Sequence, residues 1–168
     1  MKAAQKRPVL KIPLTRFEWL MEAVALLGLT GMLVLLAYHW PMLPDRLPHH
    51  FNAAGHPDAW GPKSLLLSLP AVPGVIYLAL TILQRFPHVY NYVWPITPDN
   101  ARVQYLLARQ LLAVIKVIEV WTFSWILWCT IRTALGAASG LGPAFLPLSL
   151  VAIFGSLAAY LVRARQLR

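Results

Sequence analysis

Four separate runs of about twenty residues, each apolar on every side, constrain this chain more than anything else in it. They lie at Phe17–Tyr38, Ser64–Leu83, Leu111–Ile131 and Pro143–Val162. In hydrocarbon a backbone must satisfy its own hydrogen bonds, and a helix needs about 20 residues to cross. The runs show no period-two alternation and are too long for barrel strands. Composition agrees, with 58% hydrophobic and 12% charged residues, where a soluble domain has about 45–50% and a quarter. The 14 prolines and 9 glycines are scattered, which excludes a low-complexity tract. The lone Cys129 excludes a disulfide framework or a multi-cysteine metal site within the chain.

The sequence therefore predicts an all-α membrane protein: four transmembrane helices, a Pro-rich structured outer loop and a cytoplasmic interfacial amphipathic helix. Residues 1–16 form a basic cytoplasmic N-terminus and residues 17–168 a single four-helix transmembrane domain, a four-helix bundle with its outer loop at 39–63 and a cytoplasmic segment at 84–110. The first apolar run exceeds a signal-peptide core and lacks a small-residue cleavage site after it, so it is expected to be retained.

Charge sets the expected orientation. With the N-terminus in the cytoplasm, eleven Lys/Arg fall inside: Lys2, Lys6, Arg7, Lys11, Arg16, Arg85, Arg102, Arg109, Arg163, Arg165 and Arg168. Only Arg46, Lys63 and Arg132 fall outside, and Lys116 lies within the third span. The net charge of +9 sits at helix ends, where anionic headgroups attract it, rather than on one nucleic-acid-binding face.

The two long connections carry most of the polar pattern. In the outer one, Pro41, Pro44, Pro48, Pro57 and Pro62 stiffen the chain so that it folds back on the helix ends, with a turn at Asn52 to Gly55 and Trp40 and Trp60 at the membrane surface. In the inner one, Tyr90, Tyr92 and Trp94 predict an extended strip at headgroup level. Thr97 then caps a helix that begins at Pro98, with Asp99 in its first turn. There Val103, Leu106, Leu107 and Leu111 recur against Arg102, Gln104 and Arg109, which predicts an interfacial helix before the third span. A short Gly-rich turn at Gly136 to Gly142 makes the last two helices antiparallel neighbours. Pro70 and Pro73 are expected to kink the second helix.

The string Leu43-Pro44-Asp45-Arg46-Leu47-Pro48-His49-His50-Phe51-Asn52, followed by Gly55, Asp58 and Lys63, resembles the bacterial membrane family catalogued as domain of unknown function 1648. A second match runs through Pro87-His88, Asn91-Tyr92, Ile96-Thr97 and Asn100-Ala101 to Tyr105 and Arg109. That family includes the immunity protein for a sporulation-delaying toxin. The resemblance implies a non-enzymatic, immunity- or signalling-like protein of the bacterial inner membrane that recognises a peptide, lipid or partner protein. It also points to His50, Asn52, Gly55, Asp58, Lys63, His88, Asn91 and Asn100 as motif positions.

Read by themselves, His50, His56 and Asp58 are weak metal candidates, because their spacing matches no zinc signature; hydrogen bonds that hold the loop together are the simpler role. No cofactor motif is present. Within the spans, Glu18 and Glu22 lie four apart, and Lys116 shares a face with Glu119, so Lys116 is expected to pair with Glu119 or with Glu22. Trp121, Trp125 and Trp128 recur at helical spacing on the opposite face, suited to lipid, a protein partner or the role of an accessory subunit. The alternative to recognition is a metal-dependent membrane enzyme built on the outer-loop polar cluster. The charge asymmetry predicts that Ala54→Cys and Ala138→Cys react with an impermeant thiol reagent on intact cells. Ala4→Cys should not, and its labelling would reverse the orientation.

Overall fold

The computed structural model describes residues 7–168, so Lys2 and Lys6 lie outside the described residues. Helix α1 spans Arg16–His39, strand β1 Arg46–Phe51, strand β2 Pro57–Pro62, helix α2 Ser68–Leu83, helix α3 Ala101–Ala134 and helix α4 Phe145–Gln166. Four helical stretches are long and apolar enough to cross a membrane: Arg16–Met42, Lys63–Leu83, Ala101–Ala134 and Phe145–Gln166. They overlap the four expected spans: the second agrees to within one residue, the first and third run at least a turn further at one end, and the fourth starts at Phe145 instead of Pro143 and continues a turn further.

Local chemistry sets the helix starts. Thr15 and Glu18 form a reciprocal capping box on α1: the Thr15 hydroxyl accepts from the Glu18 amide at 3.2 Å, and the Glu18 carboxylate accepts from the Thr15 amide at 2.8 Å. Thr97 and Asn100 make the same exchange ahead of α3, where the Thr97 hydroxyl accepts from the Asn100 amide and Asn100 Oδ1 from the Thr97 amide. The Thr97 carbonyl also accepts from the Ala101 amide at 2.9 Å, but the helix itself begins at Ala101 with Asn100 as its N-cap, three residues after the expected start at Pro98, and residues 98–100 form a turn ahead of it.

Helix α3 is the hub. It packs on α1, α2 and α4, whereas α1 and α2 meet only briefly and α4 rests on α3. The helices therefore fan around α3 and do not close into the expected bundle. Residues on α1 meet α3 in ascending order along both, so these two run parallel, with α2 and α4 returning between their ends. At about 1.5 Å per residue α3 is roughly 50 Å long, well beyond the ~30 Å of hydrocarbon. Its first three turns were expected to form a separate helix lying in the interface, and here the structure differs. They belong to one continuous helix, and the polar side chains Gln104 and Arg109 are buried instead of solvated. The reason is that both have internal partners: Gln104 Nε2 donates to the Ala164 carbonyl at 2.8 Å, which pins the end of α4.

The connection between α1 and α2 also corrects the all-α expectation, because it carries an antiparallel β1–β2 hairpin. Prolines obscure these strands in the sequence, yet in a two-stranded ribbon both strands are edges and a missing N–H costs little. Asn52 builds the turn, its Oδ1 accepting from the amides of Ala54 at 3.0 Å and His56 at 3.1 Å. Beneath the ribbon, Leu43, Leu47 and Leu66 close a core with Met32 and Leu36 of α1 and Leu127 and Ile131 of α3. The hairpin tip then docks on the α3–α4 turn, where the Leu141 amide donates to the Gly55 carbonyl at 2.8 Å.

Gly55 has φ +82°, and a Cβ there would stand 2.7 Å from the Gly142 carbonyl oxygen. Gly136 has φ +72° but open space around it. Gly55→Ala should therefore lower stability by about 1–3 kcal/mol, and clearly more than Gly136→Ala, which incurs backbone strain alone. Thermal unfolding of both variants in mild detergent checks the order.

Candidate functional site

The end of the molecule opposite the hairpin holds a ladder of buried polar side chains drawn from three helices. Glu18 and Glu22 lie one turn apart on α1, and Arg109 and Lys116 lie two turns apart on the facing side of α3. Arg109 grips Glu18 with both arms, Nε donating to Oε1 and Nη2 to Oε2 at 2.8 Å each. One rung deeper, Lys116 Nζ pairs with Glu22 Oε1, and donates to Gln84 Oε1 at 2.7 Å and Thr81 Oγ1 at 3.1 Å. The Tyr77 hydroxyl donates to the other Glu22 oxygen at 2.7 Å, and its ring lies 4.9 Å from Lys116 Nζ. Gln84 Nε2 donates to the Arg109 carbonyl at 3.2 Å and so joins the two rungs. Lys116 and Glu18 are fully buried. A charge at such depth persists because its partner lies within contact distance and the remaining donors are satisfied.

The same arginine fixes the N-terminal segment. Arg109 Nη1 donates to the Ile12 carbonyl at 2.6 Å, Nη2 to that of Pro13 at 3.3 Å, and the Tyr105 hydroxyl to that of Pro8 at 3.0 Å. Residues 8–14 thus lie as a strap across the helix ends. Tyr90 and Tyr92 stack beside it at 6.1 Å, and burial pushes both phenols well above their ordinary range. They keep their protons and donate to the carbonyls of Leu83 and Pro87.

Because α1 and α2 meet only briefly, a groove of about 880 Å³ opens between them and the strap. Its walls are apolar, with Leu10, Ile12, Trp19, Leu26 and Phe86 among them, and its floor presents Glu22, Tyr77, Thr81, Gln84 and Arg109.

The structure sorts the sequence-derived candidates. His50 Nδ1 meets Asp58 Oδ1 at 2.6 Å on the exposed face of the hairpin. His56 is not drawn in beside them, and among the described residues no three His, Cys, Asp or Glu side chains gather as a metal-ligand set. Asn52 and Gly55 shape the turn, and Asn100 belongs to the cap of α3. Lys63 Nζ donates to the carbonyls of Trp40 and, at 3.0 Å, Leu43, tying the start of α2 to the end of α1. His88 lines the groove and its carbonyl accepts from Arg7, whereas Asn91 is an exposed residue of the irregular stretch before α3. Glu119 is not the partner of Lys116; its carboxyl oxygens are buried and make no hydrogen bond among the described residues. Trp121, Trp125 and Trp128 project from α3 partly exposed, and Trp121 Nε1 donates to the Val24 carbonyl and Trp125 Nε1 to that of Leu141. Sequence reasoning missed Tyr77, Thr81 and Gln84. Their spacing of four and three on an otherwise apolar helix was the available signal, since it places all three on one face.

Fold and site together define a small multi-pass helical membrane protein whose spans are joined by buried ion pairs. Residues 27–72 match the family described as domain of unknown function 1648. That stretch runs from the middle of α1 through the hairpin into α2, so it contains the first of the two sequence motifs and the core beneath it. An uncharacterized protein of Archaeoglobus fulgidus is 36% identical over 80 residues, an alignment covering 40% of this chain and 44% of that relative. The chain thus spans less than half the length of the relative it matches. No solved structure matches.

The ladder makes a specific pairing testable. Lys116→Met should cost about 3–5 kcal/mol by stranding Glu22 in the interior. Adding Glu22→Gln should recover part of the loss, whereas adding Glu119→Gln should not. Thermal unfolding of the single and the two double variants in mild detergent decides between the partners.

Proposed function

We propose that this protein is a non-enzymatic membrane protein that recognises an amphipathic guest, a peptide or a lipid, in the groove between α1, α2 and the strap. One observation carries the proposal: the groove combines long apolar walls with polar side chains among its lining, so it offers a long apolar body a place to lie and a polar group partners to bind. The ladder behind it suits a rigid floor better than a reaction centre, because most of its donors and acceptors already engage one another. The loop motif serves the architecture in this view. His50 and Asp58 zip the hairpin, Asn52 and Gly55 turn it, and Lys63 anchors it. The family resemblance supports recognition of the immunity or signalling kind, at the bacterial inner membrane. The basic asymmetry supports cytoplasmic termini and places the hairpin outside as a cap.

A second mode, docking as an accessory subunit, is favoured by the tryptophan ridge of α3, which stands between two apolar clefts, one toward α1 and one toward α4. The groove remains the better candidate because it combines apolar walls with a polar floor.

Leu26 lines the groove and is about half exposed, so Leu26→Trp should fill it without disturbing the ladder. Native mass spectrometry of the full chain in mild detergent should show one guest retained by the parent protein and lost from Leu26→Trp. A guest-free parent, or equal retention by both, would sink the proposal.

A further inference from the structure

The lip of the groove has a charge character that its walls do not share. Lys11 on the strap and Arg85 just after α2 both line it, both are exposed, and neither forms an ion pair among the described residues. The two carboxylates of the ladder are already engaged, Glu18 by Arg109 and Glu22 by Lys116. The same end of the molecule carries Arg16, Arg102, Arg163 and Arg165, against a single further acid, Asp99. The wall runs from Trp19 to Leu26, seven residues and so about 10 Å along α1. Because α1 and α2 meet only briefly, the groove opens sideways between two spans, toward the region a lipid tail would occupy.

Cations at the rim, a long apolar wall and a lateral opening are together complementary to one chemistry. Building on the guest groove described above, we propose that its occupant is an anionic phospholipid, with the phosphate held between Lys11 and Arg85 and an acyl chain lying along the apolar wall at Leu26. Free phosphate would engage the rim but gain nothing from the wall. A zwitterionic lipid would gain from the wall, but its own ammonium group would offset the attraction of the rim.

The test uses the full chain in mild detergent, stripped of lipid and then offered phosphatidylglycerol, phosphatidylcholine or inorganic phosphate, with binding read by native mass spectrometry and melting temperature. One phosphatidylglycerol should be retained and should raise the melting temperature, while phosphatidylcholine binds at least tenfold more weakly and phosphate leaves melting unchanged. Each basic side chain near anionic headgroups contributes roughly a factor of five, so Lys11→Gln with Arg85→Gln should reduce the preference for phosphatidylglycerol by about ten- to thirtyfold. Both are surface side chains outside the core, so the double variant keeps the fold. Leu26→Trp should abolish retention of either lipid.

Equal binding of the two lipids by the parent protein would overturn the inference. So would a preference that survives the double variant, which would move the headgroup elsewhere, or one that survives Leu26→Trp, which would move the tail. Free phosphate alone matching the effect of the lipid would reduce the site to a surface anion contact and also overturn it. A peptide retained in place of any lipid, and lost from Leu26→Trp, would end this inference while leaving the guest groove standing; an empty parent protein would end both.

Discussion

Two ion pairs in the interior, Arg109 with Glu18 and Lys116 with Glu22, fix the relation of α1 to α3, and the remaining elements are arranged around that relation. Between membrane helices there is no hydrophobic driving force to hold a particular register, because lipid is as apolar as the side chains it would replace. Charges restore the discrimination. Sliding α1 by a turn against α3 would bring one glutamate opposite the other's cation and strand the remaining acid and base without partners, a far larger cost than any rearrangement of leucines. Once α1 and α3 are registered, Gln84 and Tyr77 reach into the same ladder and locate α2, and Arg109 gathers the strap with the hydrogen bonds left after Glu18 is satisfied.

The two ends of the protein are held by different physics. At the hairpin end, Leu43, Leu47 and Leu66 pack with Met32, Leu36, Leu127 and Ile131, an apolar core of the kind a soluble domain uses. At the other end the helices are tied by directional contacts and leave a groove open between α1 and α2. Dispersion packing fills space, whereas hydrogen-bonded ladders fix positions without filling it, and this difference explains why the large concave surface lies where the polar residues are. Helix α4 shares in neither system. Only Ala164 is buried along its length, and its far end is tied by Gln104.

The sequence disclosed whatever is local. Span number and approximate limits follow from length and apolarity, and the turn at Asn52 to Gly55 from residue chemistry. A turn at Thr97 was likewise visible in adjacent residues, although the helix cap itself falls on Asn100. Long-range pairing was less legible. Glu119 stands three residues from Lys116 and Glu22 stands 94 away, so periodicity alone left both open, and the structure chose the distant one. Arg109 looked like one more headgroup-facing cation, because nothing local indicates that Glu18, 91 residues earlier, lies against it. The hairpin was hidden for another reason: Pro48, Pro57 and Pro62 argue against strands in a sheet, and that rule loses its force in a ribbon made only of edges.

The distance between partners has a consequence for how the protein is made. Helix α1 leaves the ribosome before α3, and the arginine that neutralises Glu18 follows 91 residues later. At about 5–20 residues per second the delay is roughly 5–20 s. During that interval α1 carries two uncompensated acids and cannot settle alone at its final depth. Its capping box meets part of the need, since Glu18 already accepts from the Thr15 amide and hydroxyl without any help from α3. Glu22 has no such local partner and must wait for Tyr77 of α2 and then Lys116 of α3. The pairing order thus follows the chain order: the Glu22 charge on α1 has its cationic partner only once α3 has been translated.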